Sequence, residues 1–285
     1  MDNNFFKICS PILLSFVLSS CSIAGTWVYE RLDNYIANYF KEFANFTNEQ
    51  NSEIDIISSN YLDWFSENEL PKVKLLMEGL ININFGNPEE EILLTYEAGE
   101  DLFQRTNRYF EMPIIQFSKS LNNQQISEIE SHFQELRERR EERRGEQSQE
   151  YLDEIFENYM EGFDRVGISL RKDQQAILKL KLENYQPVRD EWSLLQEQWT
   201  REFIELLSAS SSYGYEANMR LFLRSFEEVG DENFRKKSDA NQDLAIEIMI
   251  YMLSSANEEQ IESFKRNLNT YLNSINRILS KRSVN

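Results

Sequence analysis

From Trp27 to the C-terminus, apolar residues return at intervals of three and four almost without interruption, and segments alternating apolar with polar are scarce. That period belongs to helices, so the chain reads as all-α, a multi-helix array of antiparallel helical hairpins with no sheet. The period predicts about nine or ten helices. Trp27, Arg31-Leu32, Tyr35-Ile36 and Tyr39-Phe40 mark the first, a second runs from Thr47 towards Glu69, and Leu70-Pro71 starts a third that ends near Asn84. Asn87-Pro88 followed by Glu89, Glu90 and Glu91 predicts a capped helix start with carboxylates at the positive end of the dipole. Met112-Pro113 is expected to kink or break that helix. The stripes from Tyr151 to Phe163 and from Val188 to Leu206 read as core faces, and the last helix is expected to start at Asn257. A Ser-rich turn at Ala209–Tyr215, containing Gly214, is the predicted hinge between a main body, 27–210, and a C-terminal helical group, 211–285, packed on it.

One five-residue pattern recurs along these helices: Phe46-Thr47-Asn48-Glu49-Gln50, Leu121-Asn122-Asn123-Gln124-Gln125, Leu170-Arg171-Lys172-Asp173-Gln174 and Ala256-Asn257-Glu258-Glu259-Gln260. Thr47, Asn122 and Asn257 can each accept a backbone N–H of the new first turn, while Gln50, Gln125 and Gln260 reach back to the cap's own N–H. Arg171 has no acceptor, so Ser169 is the expected cap where Gln174 closes the pattern.

The N-terminal twenty residues follow a different pattern. Lys7 precedes an apolar run, Ile8 to Leu18, too short to cross a bilayer and of the length of a secretory h-region. Leu18-Ser19-Ser20-Cys21 resembles a bacterial lipobox, which implies removal of residues 1–20, acylation of Cys21 and a short tether at 21–26. By the same resemblance Ser22, in place of Asp, implies sorting to the outer membrane, with the body facing the periplasm. The other cysteine, Cys9, falls in the removed segment, so the mature chain would carry no free thiol, as suits an oxidising compartment.

Composition narrows the chemistry. With 49 acidic against 30 basic side chains and a net charge of -19, the surface repels phosphate backbones, which disfavours nucleic acid as a partner. His132 is the only histidine, so neither a metal cluster nor a His-dependent nucleophile is expected, and no cofactor motif is present. Carboxylates are numerous, but no pair is singled out for glycosidase chemistry. Positive charge concentrates at one place, Glu135 to Glu146, with five Arg and five Glu. Arg137, Arg140 and Arg144 continue the line of Ile126, Ile129 and Phe133 on one helix, flanked by Arg139 and Arg143, and the glutamates fall opposite. Such a row suits docking on an acidic surface, the protein's own or a partner's.

The stretch Tyr29-Glu30-Arg31-Leu32-Asp33, the first box, Trp64 with Glu69-Leu70-Pro71, the Arg/Glu stretch 137–144, Trp192, Trp199 and Asn241 together resemble landmarks of a proteobacterial lipoprotein family of unknown function. Phe65-Ser66 depart from its pattern, standing where His-Arg is expected after Trp64. The boxes are also similar, five residues at a time, to the LTxxQ signature of Spy-type periplasmic chaperones. The family has no assigned activity to carry over; the expected function is a non-enzymatic protein-binding, scaffold or chaperone-like lipoprotein whose partners are the outer membrane, through its lipid, and other envelope proteins. A carboxylate-dependent cell-wall glycan hydrolase is the alternative.

Overall fold

The computed structural model describes Tyr29 and residues 31–142, 148–225 and 230–282. Cys21, Ser22, Trp27, Arg143 and Arg144 lie outside the described residues. Among the described residues there are eleven helices and no strand: α1 (Leu32–Lys41), α2 (Asn48–Asn68), α3 (Leu70–Ile81), α4 (Glu89–Ser118), α5 (Asn123–Glu142), α6 (Ser148–Arg165), α7 (Lys172–Leu182), α8 (Arg189–Ser208), α9 (Tyr215–Ser225), α10 (Glu232–Ser254) and α11 (Glu258–Arg282). The all-α expectation holds, with antiparallel contacts between helices. The count exceeds nine or ten, and α9 and α10 are separate helices. Asp231 starts the second of them by accepting the Phe234 N–H at 2.8 Å.

The apolar faces meet in two clusters. The larger gathers α3, α6, α7, α10 and α11 around Leu178, Ile248, Met252 and Leu268, all essentially inaccessible to solvent. The smaller is built from Ile126 and Ile129 of α5, Leu207 of α8, and Tyr215, Met219 and Phe222 of α9. The 30-residue helix α4 joins them, giving Leu102 to the larger and Ile115 to the smaller. Leu207 and Tyr215, on either side of the Ser-rich turn, share the smaller cluster; Gly214 supplies the turn's left-handed backbone, with φ 85°.

Three local expectations are corrected. Pro113 does not break α4, which runs through it unbroken to Ser118. An interior proline removes one ladder bond and costs about 3 kcal/mol, but here Glu111 and Ile115, on either side of it, are buried and bind that part of the helix to α9 and the smaller cluster. Asn87 does not cap α4. Pro88 occupies that position, its carbonyl accepting the Ile92 N–H at 3.1 Å, with no side-chain cap; a residue preceding proline is pushed towards extended backbone. Finally, Ser169 does not cap α7: its hydroxyl donates to Asp164 at 2.7 Å, and Arg171 is the capping position.

The end of α6 shows how tightly the helices are fitted. The Ile168 N–H donates to the Phe163 carbonyl at 2.8 Å and the Gly167 N–H to the Asp164 carbonyl at 2.9 Å, the paired bonds of a Schellman stop. Gly167 has φ 88°, and a Cβ there would sit 2.9 Å from the Ser263 carbonyl oxygen of α11. The Arg165 carbonyl, left over by the helix, accepts from Asn267 and from the Tyr271 hydroxyl.

Candidate functional site

The recurring boxes carry one repeated set of hydrogen bonds. Thr47 Oγ1 accepts the Gln50 N–H at 3.2 Å and Gln50 Oε1 accepts the Thr47 N–H at 2.9 Å. Asn122 with Gln125 repeats this at 2.9 and 3.1 Å, and so does Asn257 with Gln260. At Arg171 only the glutamine half exists: the Arg171 N–H donates to Gln174 Oε1 at 3.0 Å, and a guanidinium has no acceptor to return.

Each box still has an unused amide NH2, and the fold brings the boxes together in twos. Gln50 Nε2 donates to Gln125 Oε1 at 3.2 Å, and Gln125 Nε2 donates back to Gln50 Oε1 at 2.6 Å. The remaining donors cross as well. Gln50 reaches the carbonyl of Ser120 and Gln125 that of Asn45, each two residues before the other helix's cap. Gln174 and Gln260 form the second pair, with Gln260 Nε2 donating to Gln174 Oε1 and to the Ser169 carbonyl, both at 2.8 Å. Gln174 Nε2 donates to Ser255 Oγ at 2.9 Å, while Arg171 donates to the Ser255 carbonyl and to Gln260 Oε1. Arg171 thus fills with guanidinium donors the place the first pair fills with an amide. It also donates to Asp173, which holds that carboxyl below its ordinary range.

All four glutamines are buried, Gln174 completely. Glutamine is required because only an amide accepts from its own cap and donates to its neighbour; glutamate would close the box but bring two carboxylates together in a dry site. The use of Gln at all four positions in so acidic a chain is the sequence signal for pairing, and sequence reasoning missed it.

Beside the first pair lies an open groove of about 420 Å³, lined from the α1–α2 connection by Lys41, Glu42, Phe43 and Asn45, and from α5 by Gln124, Glu128, Ser131, His132 and Glu135. Glu128 accepts the Asn45 N–H at 2.7 Å and the Gln124 amide at 3.0 Å, which lowers its carboxyl below the usual range, the backbone bond contributing most. The His132 ring lies 4.3 Å from that of Phe43, with Nε2 buried and without a hydrogen-bond partner. Phe43 also meets Phe133, which continues to Trp199, Phe203 and Phe222. His132 therefore sits where the wall of the groove becomes core. Among the described residues no group of three His, Cys, Asp or Glu side chains could hold a metal ion.

The arginine row docks on the protein's own helix α8 where it is described. Arg140 donates to Gln196 Oε1 at 2.6 Å and to the Leu136 carbonyl, and Arg137 lies 3.5 Å from Glu197. Arg139 pairs with Glu135 on its own helix at 3.1 Å. The buried ion pairs are elsewhere and were not foreseen. Glu69, 1% exposed, receives a two-pronged Arg105 at 2.8 Å on both oxygens, with Lys72 at 3.1 Å. Glu111 receives Arg224 in the same way at 2.9 Å. Several landmarks of the resemblance have structural positions: Asn241 exchanges two bonds of 2.7 Å with the backbone of Gln186, Trp192 stacks on Phe234, and Ser66 bonds the Tyr29 hydroxyl.

No family model matches the chain, and no curated protein or solved structure matches it.

Proposed function

We propose that the protein is an outer-membrane lipoprotein, acylated at Cys21 and retained there by Ser22, whose periplasmic body binds other envelope proteins and turns over no substrate. The observation that carries the binding role is the open groove beside the Gln50–Gln125 pair. Its walls come from the α1–α2 connection and α5, whose starts are cross-bonded through buried amides, so the groove is pre-organised. Glu42, Glu128 and Glu135 set carboxylates along it, Glu128 bonded to Asn45 and Gln124 and Glu135 paired with Arg139, and Phe43 offers an aromatic base. An open, carboxylate-lined groove on a body of net charge -19 suits a basic polypeptide segment better than an enclosed small molecule. The small residues before Cys21 support the anchor.

The hydrolase alternative would draw first on the two buried carboxylates. Both oxygens of Glu69 and of Glu111 are taken up by arginine forks, which leaves neither group turned to a glycan. The roles separate when the protein is incubated with purified peptidoglycan and then with an aggregating client. Suppressed aggregation without fragment release is expected; fragment release that disappears on replacing a single Asp or Glu would overturn the proposal. For the anchor, Cys21→Ser is expected to abolish palmitate incorporation and leave unprocessed or soluble precursor. A variant that labels and fractionates like the wild type would refute acylation at Cys21.

A further inference from the structure

Helix α1 presents an aromatic face that is exposed among the described residues. Ala37 is its buried residue, 1% exposed, while Tyr35, Tyr39 and Phe40 are 54, 52 and 41% exposed. Tyr35 and Tyr39 stand one turn apart on the same side, and the Tyr39 ring leans on Phe40 and Phe43 at 5.7 and 5.4 Å. Tyr35 and Tyr39 form the exposed platform, and Phe40 flanks it, its ring 6.4 Å from that of Phe110 on α4.

We infer that this platform rests in the interfacial layer of the phospholipid membrane, so that α1 is a second, non-covalent foot beside the lipid on Cys21. The placement rests on the proposed anchor. Tyr29 is tied to the body through Ser66, and only seven residues, Ser22 to Val28, separate it from Cys21. Fully extended they span at most roughly 30 Å, so the start of α1 stays within about one bilayer thickness of the membrane surface. Tyrosine suits that layer, with an apolar ring among the acyl ends and a hydroxyl in the wet headgroups. Charge agrees: Asp33 and Lys41 cancel within α1, whereas the chain as a whole would be repelled by anionic headgroups.

The test uses the acylated full-length mature protein in vesicles of phosphatidylethanolamine and phosphatidylglycerol. Acylation of Cys21 is first checked by mass. An environment-sensitive fluorophore is attached at Asn38→Cys, on the exposed side of α1 with the aromatic platform intact, and in a second preparation at Leu180→Cys on α7. The expected result is severalfold stronger quenching by lipid-borne quenchers at 38 than at 180, protection from aqueous iodide at 38 alone, and loss of both on adding Tyr35→Ser and Tyr39→Ser. If Cys21 is acylated but position 38 is open to iodide and untouched by lipid quenchers, the body stands off on its tether and the inference is overturned while the anchor stands. Protection from both quenchers would also overturn it, since a second copy, another protein or residues 22–28 would then cover the platform. A chain without lipid on Cys21 removes the anchor and this inference together.

Discussion

Replacing Gln125 with Glu separates a capping role from a pairing role. Glutamate keeps an acceptor for the Asn122 N–H and so preserves the box. What it loses is the NH2 that donates to Gln50 Oε1 at 2.6 Å and to the Asn45 carbonyl at 3.2 Å. Gln50 Oε1 keeps the Thr47 N–H, but the bond between two buried amides is lost and the Asn45 carbonyl loses its amide donor; an unmatched buried polar group costs about 1–3 kcal/mol. The loss is therefore about 1–3 kcal/mol, to which the buried carboxylate adds its own desolvation. The sign with pH follows from burial. The folded state resists ionising this carboxyl, so the penalty is small below the unfolded value near about 4.3 and grows as pH rises through it. Urea unfolding followed by far-ultraviolet circular dichroism, at about pH 7 and about pH 4, reads the difference. Thr47→Ala calibrates a cap alone, at about 0.5–2 kcal/mol. Gln260→Glu is expected to cost less than Gln125→Glu, because the Arg171 guanidinium already donates to Gln260 Oε1 and would meet the new carboxylate as a cation. If Gln125→Glu lies within about 0.5 kcal/mol of the wild type at neutral pH, the glutamines are caps only and the pairing has no energetic weight.

Two further outcomes follow from the same structure. Reversing Arg137 and Arg140 to Glu sets like charge against Glu197 and removes the donor to Gln196; a loss of about 0.2–1 kcal/mol per contact is expected, partly relieved by salt, and unchanged stability at low salt would show that the row does not hold α5 to α8. Burial pushes the Tyr61 and Tyr159 phenols up to about 12, and those of Tyr96 and Tyr185 upward as well, from an ordinary value of 10.0. Their contribution to stability is therefore complete below pH 10 and lost as pH rises towards 12. Phenolate absorbance should show a fraction of the 13 tyrosines silent until alkaline unfolding, and titration of all of them near 10 in a still-helical chain would contradict it.

Local features were legible in the sequence alone. Apolar periodicity specifies helix, and a cap with its glutamine is complete within four residues, so the class of the fold and the starts at Thr47, Asn122 and Asn257 were legible without coordinates. The starts of α4 and α7 were misplaced by one and two residues, because nothing local distinguishes Asn87 from Pro88, or Ser169 from Arg171, once a neighbouring side chain or a proline competes for the same backbone. Tertiary structure decided which groups meet. Gln50 and Gln125 are 75 residues apart, Gln174 and Gln260 are 86, and Glu111 finds Arg224 at a separation of 113. No period along the chain encodes such a distance; each contact exists because the packing of apolar faces elsewhere buries a polar group that has to be matched. The same holds for Pro113, whose local cost favours a break that packing on both sides of it prevents, and for the arginine row, whose charge was visible in the sequence but whose counterpart on α8 was not.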